Sequence, residues 1–405
     1  MIDPKEPRRP LEGVRAVTMT IFQAGPICFA WMADFGAEVI KIEPPGTGER
    51  GRQLYQRPDF PVSSFFETHN RGVKGITLNI QTRKGIEILY KLVKDADIFA
   101  QNFRPGVAER HGFAYEDLIK VNPRIVYLTT SAYGPDGPDA SLPGTDGLAQ
   151  AMGGIVSAYA EDGRQMFPSE VSVADQTGGL INFGAVMVGL YHARMTGEGQ
   201  KIETSLLGGQ IFLMGHFMTR YLLHGEKPRR ERVRILPEPN LTGSFNDSRG
   251  KPFLFQGVLV KDWQPVMTAL GCWESLSASG LTRLDAIAKS KEKEKLMIDI
   301  LDKVFATNTR EHWLRILRDA DVVSGPINDF AEAASDPNVI ANKNIIDVDH
   351  PRAGKIRVNG FPWKFSKTPA RAGVAPELGE HTEEIMTRLG YTRTQIQQLR
   401  DEKVI

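Results

Sequence analysis

The chain has 405 residues, 50 Lys and Arg against 49 Asp and Glu, a formal net charge of +1 and 41 % apolar residues. That length exceeds one ordinary core and predicts two domains, and so even a charge balance excludes a chain-wide electrostatic footprint for nucleic acid. No run of about 18 apolar residues exists to span a bilayer, so no membrane partner is expected; Cys28 and Cys272, far apart, offer neither a disulfide framework nor a metal cluster and point to the cytoplasm.

The start, "MIDPKEPRRPLEG", is polar and proline-rich, with no apolar core for export, and reads as a short arm. Strand-like and helix-like segments then alternate. "VRAVTMT" is extended, "ICFAWMADFG" has helical spacing closed by Gly36, and "AEVIKIE" and "GITLNI" are extended again. A helical "TRKGIEILYKLVKDA" follows, then strands in "ADIFAQNF" and "RIVYLTTSAYG". Such alternation predicts an α/β fold with a parallel sheet covered on both faces. After Asp175, Leu180, Phe183, Val186, Met187, Leu190 and Tyr191 recur at three- and four-residue steps, predicting a buried helix that ends around Gly197. "ETSLLGGQIFLMGHFMTRYLLHG" predicts a second long apolar helix, buried on several sides and suited to packing against another subunit.

At "GEKPRRERVRILPEPN" the composition turns to charge and proline, which marks a linker. Beyond it, "GSFNDSRGKPFLFQGV" and the helical segments near Trp263 and Trp313 predict a smaller α+β domain, whose far edge lies near "SGPINDFAEAASDPNV".

The opening strand-helix-strand unit invites a dinucleotide-binding reading, with Glu43 ending the second strand where a ribose-binding acid would sit. The first turn, however, is "IFQAGP", with one glycine and a proline instead of G-x-G-x-x-G, so the sheet is Rossmann-like without the nicotinamide fingerprint. The eight histidines are scattered, with no H-x-x-x-H or H-E-x-x-H grouping, and no G-x-S-x-G elbow occurs. No metal is expected. Arg71 and Lys74 precede one strand and Arg104 follows another, where a loop cation either holds a phosphate or is simply solvated.

"SVADQTGGL" holds Asp175 among small residues at a helix start. Ser172-x-x-Asp175 fits a capping box, and Asp175 can itself cap a helix beginning near Gln176, with the helix N-terminus favouring its ionised form. The alternative is a carboxylate that a large molecule must approach.

Taken together, these segments resemble the class III CoA-transferases. The resemblance rests on "PLEGVRAVTMT", "QAGP", "FGAEVIKIEPPGTGE", "HNRGVKGITLNI", "DIFAQNFRPGVAERHGF", "NPRIVYLTTSAYGPDGP", "ADQTGG", "RMTGEGQKIETSL" and "LGEHTEEIMTRLGY", in family order over nearly the whole chain. It implies a split Rossmann-like large domain (residues 1–225 and 336–405), with a linker and small α+β domain at 226–335 between the two parts. It implies an interlocked homodimer, or a heteromer with a related subunit.

By the same resemblance Asp175 is the nucleophile that attacks a donor thioester, giving aspartyl anhydride and aspartyl-CoA thioester intermediates on the way to a free carboxylic acid acceptor. Gly178 and Gly179 then leave room for the thioester and its pantetheine arm. Gln23 lines the acyl site and donates to the oxyanion. Arg71, Lys74 and Arg104 meet the CoA phosphates, the backbone around Asn102 and Phe103 meets its nucleotide end, and Tyr133 lies near the reacting groups. No permanently bound cofactor is implied; acyl-CoA is a substrate. An α-methylacyl-CoA racemase of the same family is the alternative, but Thr145 stands before Asp146 where racemases carry the histidine needed for one of two proton transfers.

Overall fold

The computed structural model describes residues 9–159, 165–228, 232–235 and 240–405, to which all that follows refers. Strands β1 (Arg15–Thr18), β2 (Glu38–Glu43), β3 (Lys74–Thr77), β4 (Ile98–Gln101), β5 (Val126–Ser131) and β6 (Gln200–Ser205) pair in parallel. Their order is β3-β2-β1-β4-β5-β6. This is a doubly wound sheet that reverses direction between β1 and β4, and in such sheets ligands bind beyond the carboxyl ends of the strands at that crevice.

Period-two alternation feeds a core on each face. Ala16, Ile98, Ala100, Val126 and Leu128 pack with Cys28, Phe29 and Met32 of α1 (Ala24–Asp34) and with Val186 and Leu190 of α8 (Val173–Thr196). Val17, Phe99 and Tyr127 point the other way, onto Ile88, Leu89 and Leu92 of α3 (Arg83–Lys94) and onto Ile385, Met386 and Leu399 near the end of the chain. Each fully buried Val, Leu, Ile, Phe or Met among them stabilises the fold by about 1.5–3 kcal/mol.

The remaining α-helices before residue 225 are α2 (Ser64–Asn70), α4 (Val107–His111), α5 (Tyr115–Val121), α6 (Asp146–Met152), α7 (Ile155–Tyr159), α8 (Val173–Thr196), α9 (Leu206–Leu213) and α10 (Gly215–His224). Helix α8 ends at Gly197, whose φ of +81° supplies the left-handed C-cap. Its start differs from expectation: the helix opens at Val173, so Asp175 lies inside the first turn, and Ser172 makes no side-chain capping bond. The expected single helix from Glu203 is also corrected. Glu203–Ser205 complete β6, the Ser205 hydroxyl then caps α9 by accepting from the Gly208 N–H at 3.0 Å, and a break at Met214 separates α9 from α10, which opens on Gly215 at φ +47°.

The chain divides into two units, Met1–Pro228 with Asn342–Ile405, and Arg229–Ala341. The second unit is built on an antiparallel sheet, β7 (Val233–Ile235), β8 (Asn240–Asn246), β9 (Pro252–Leu259) and β10 (Val323–Pro326). Its core gathers Phe245, Phe253, Phe255, Trp263, Phe305 and Trp313. Part of the linker segment lies outside the described residues, and β7 occupies another part of it. In the first unit an antiparallel pair, Ile345–His350 with Gly354–Asn359, precedes Trp363 and Phe365, which pack on Trp31, Phe35 and Phe183.

Candidate active site

The chain leaving β1 is held by buried polar groups. The Asn102 side chain, just past β4, accepts the Ile21 N–H at 2.8 Å and donates to the Ile21 carbonyl at 2.9 Å, tying the chain that leaves β4 to the chain that leaves β1. The Lys41 ammonium donates to the Thr20 carbonyl at 2.7 Å and pairs with Glu49 at 2.9 Å. Glu49 in turn accepts the Phe22 N–H at 2.9 Å. These bonds hold Phe22 at φ +64°, a left-handed conformation that costs a non-glycine residue roughly 1–2 kcal/mol. Gly25 is required next, since a Cβ there would lie 2.4 Å from Thr20 Cβ. The result is a rigid turn that sets Gln23 at the N-cap of α1, buried, with its amide nitrogen 3.3 Å from His69 Nε2.

Asp175 is positioned from a distance. Asp146, first residue of α6, accepts the backbone N–H groups of Ala174 at 2.7 Å and Asp175 at 2.9 Å through its Oδ1. Its Oδ2 accepts from Gln150, whose amide also exchanges hydrogen bonds with the Ser169 backbone. The cap of α8 is therefore an acid from another helix, and neither Ser172 nor Asp175 itself serves that role. Among the described residues the half-buried Asp175 carboxyl has no cation or hydrogen-bond donor beside it; burial, reinforced by the Asp146 charge, pushes it up to about 7. The helix N-terminus does not prevail over these two effects.

Four helix starts meet here, those of α1, α6, α8 and α9. Ala24 follows Gln23, Ala174 precedes Asp175 and Ala149 lies one turn into α6 from Asp146; with Leu206 they form one small buried cluster. Asn182 of α8 ties the approach by donating to the Ala24 carbonyl at 3.0 Å. Small residues let the helices close: a Cβ on Gly179 would lie 2.6 Å from Ile27 Cγ2, and one on Gly178 would lie 3.0 Å from Leu206 Cδ2 and 3.3 Å from Ala24 Cβ. The two glycines read above as room for a thioester are room for helices.

The other sequence-predicted residues separate into two sets. Phe103 and Arg104 line a cavity of about 230 Å³ together with Tyr115, Thr129, Ser131 and Lys201, toward the carboxyl ends of β4, β5 and β6. Tyr133 donates from its hydroxyl to the Pro143 carbonyl at 3.1 Å and so braces the loop that delivers Asp146. Arg71, by contrast, precedes β3 and Lys74 opens it, at the amino end of the sheet. The Arg71 guanidinium is buried against Asp34 at 2.8 and 3.0 Å and donates to the Asn359 carbonyl. Lys74 pairs with Glu384 at 2.5 Å and Glu38 at 3.4 Å. The structure does not bring these two cations to the Arg104 cavity. Lys41, Glu49 and His69 were not picked out in the sequence, and Asp146 entered only beside Thr145 at the racemase step, because the groups they position lie 21, 27, 46 and 29 residues away.

Comparison with known proteins decides the family. The model of CoA-transferase family III matches residues 11–382. The chain belongs to this family. It is 31 % identical over 383 residues to the acetyl-CoA:oxalate CoA-transferase of Acetobacter aceti, covering 93 % of this chain and 95 % of that protein. It is 30 % identical over 390 residues to the human succinyl-CoA:glutarate CoA-transferase, covering 93 % and 85 %. A solved CAIB/BAIF family protein from Brucella suis superposes with a TM-score of 0.83 at 27 % identity, covering 94 % of this chain and all of that one. The family III chain is thus an enzyme of CoA transfer, as its relatives are named. Among the described residues no group of three or more His, Cys, Asp or Glu is arranged to hold a metal ion, and no helix is long and apolar enough to cross a membrane.

Proposed function

We propose that this family III enzyme moves CoA from an acyl-CoA donor to a free carboxylic acid through Asp175. The observation that carries the reading is the Asp175 carboxyl itself, desolvated, unpaired among the described residues and set beside a like charge. Such an arrangement weakens the fold and strengthens a nucleophile, and acids so placed concentrate at functional sites.

In the proposed cycle a carboxylate oxygen of Asp175 attacks the thioester carbonyl carbon. The C–O bond forms, the C–S bond breaks, and the electron pair leaves on sulfur as the CoA thiolate. The thiolate attacks the aspartyl carbonyl of the anhydride, releasing the donor acid as its carboxylate and leaving an aspartyl-CoA thioester. The acceptor carboxylate attacks that thioester, giving a second anhydride and thiolate, and the thiolate then takes the acceptor acyl group and frees Asp175. No proton is gained or lost overall, and acyl activation is conserved throughout. Gln23 at the start of α1 is the proposed donor to the oxyanion formed at each attack. Arg104 and the backbone at Phe103 are proposed to meet the CoA nucleotide in the cavity that they line. Exclusion of water matters, because an exposed anhydride hydrolyses.

A dimer is part of the proposal. Val188, Tyr191 and Met195 of α8 and Phe212, Leu222 and Leu223 of α9 and α10 are each about 70–80 % exposed, large apolar side chains of the kind that a second subunit covers. The alternative racemase reading draws no support from the site, since the Asp146 Oδ1 is committed to capping α8.

The test is transfer itself. Succinyl-CoA and acetyl-CoA as donors, with glutarate, oxalate and other short carboxylic acids as acceptors, are expected to give a new acyl-CoA that depends on both substrates. α-Proton exchange in deuterated water without any acceptor acid would support the racemase instead.

A further inference from the structure

Resting on the reading that Gln23 steadies the oxyanion, we infer that His69 is a positioning residue that locks the Gln23 side chain in one amide orientation, nitrogen toward the imidazole. His69 lies on α2, almost wholly buried, with its ring edge-on to Phe65 at 4.7 Å between centroids. Its Nδ1 is 2.8 Å from the Phe65 carbonyl oxygen, one turn earlier. A carbonyl oxygen only accepts, so Nδ1 carries the hydrogen.

The second nitrogen is then decided. Burial, together with the Lys41 ammonium on β2, holds His69 down at about 4, and Lys41 is itself paired with Glu49. At neutral pH the ring is uncharged, and Nε2 presents a lone pair toward Gln23 at 3.3 Å. A lone pair needs a donor. The Gln23 atom facing it is therefore the amide nitrogen, since the reversed amide would set two lone pairs against each other. One Gln23 N–H is spent on His69, and the second N–H is aimed by that bond and by the rigid turn at Phe22. A glutamine free to flip could turn its carbonyl oxygen, which cannot donate, toward the oxyanion.

The experiment uses the full-length enzyme with 15N-labelled histidine. Long-range 1H–15N spectra, with His69 assigned by its loss in His69→Gln, are expected to show the Nδ1–H tautomer, unchanged down to pH 5. In Gln23→Glu the partner becomes an acceptor, so His69 takes a second proton and titrates near or above its ordinary value of about 6.5. In transfer assays Gln23→Ala is expected to lower kcat by about 10²-fold and His69→Ala by about tenfold or more, with KM for both substrates little changed. The double variant is expected to be no worse than Gln23→Ala alone. An Nε2–H tautomer in the unmodified enzyme, a His69 that titrates near 6.5 without the Gln23→Glu change, or losses that multiply in the double variant would overturn the role of His69 while leaving that of Gln23 standing. A Gln23→Ala enzyme with undiminished kcat would overturn the oxyanion reading, and the spectra would still decide whether His69 orients Gln23.

Discussion

Asp146 accepts the backbone N–H of Asp175 at 2.9 Å while its negative charge opposes ionisation of the Asp175 side chain. One carboxylate thus anchors the helix that carries the proposed nucleophile and raises the basicity of that nucleophile. Attack requires the carboxylate form, so kcat/KM for the donor is expected to rise with pH through about 7. Asp146→Asn keeps an oxygen to cap α8 and removes the charge, at the expense of the hydrogen bond from Gln150, so the midpoint should move to lower pH. Asp146→Ala removes the cap as well and is expected to cost about 1 kcal/mol of stability. A pH profile of kcat/KM for each variant, beside a denaturation curve, separates the two contributions.

The same raised value makes Asp175 a burden on the fold. Its folded pKa of about 7 exceeds the ordinary value of 3.8, so between these the folded state binds more protons than the unfolded one. Stability therefore falls as pH rises from about 4 to 7 and levels off above. Asp175→Asn should melt with the parent near pH 4 and above it at pH 8, by on the order of 1–3 kcal/mol. Thermal melts across that range check the sign.

Packing between α1 and α8 depends on Gly179. The added Cβ of Gly179→Ala meets Ile27 at 2.6 Å, a buried and branched side chain with nowhere to retreat, and is expected to destabilise by about 1–3 kcal/mol. At Gly178 the nearest atom is the end of the Leu206 side chain at 3.0 Å, so Gly178→Ala should cost less. Urea unfolding of the two variants gives the order.

Arg71 and Arg104 should fail differently. Arg71→Ala strands the buried Asp34 carboxyl and is expected to cost about 3–5 kcal/mol of stability, seen in denaturant midpoints. Arg104→Ala should leave unfolding nearly unchanged and raise KM for acyl-CoA. A matched pair of unfolding and kinetic measurements tells a structural cation from a ligand-binding one.

The alternation of "VRAVTMT", "AEVIKIE", "ADIFAQNF" and "RIVYLTTSAYG" with helical segments made the parallel sheet legible, because side-chain period is a local property. The opening of α8 was less so. A capping box is a local signal, but the cap comes from Asp146, 29 residues upstream, and no spacing rule reaches that far. Strand β6 was missed because it lies at the sheet edge, half exposed and without an apolar run. Asn102, Lys41 and Glu49 bond to the β1–α1 turn across the sheet, and His69 meets Gln23 across 46 residues. Such pairs become visible only when the strands are placed side by side.

The central claim is that CoA transfer passes through a covalent bond to Asp175. The most direct measurement is mass spectrometry of the peptide spanning Asp175 after the enzyme is mixed with a competent acyl-CoA donor and quenched with hydroxylamine, which converts an aspartyl anhydride or thioester to a hydroxamate. The modification is expected on Asp175 alone, to require the donor, and to vanish in Asp175→Asn together with a loss of turnover of roughly 10³-fold or more. Steady transfer with Asp175 unmodified, and an Asp175→Asn enzyme that turns over near the parent rate, would contradict it.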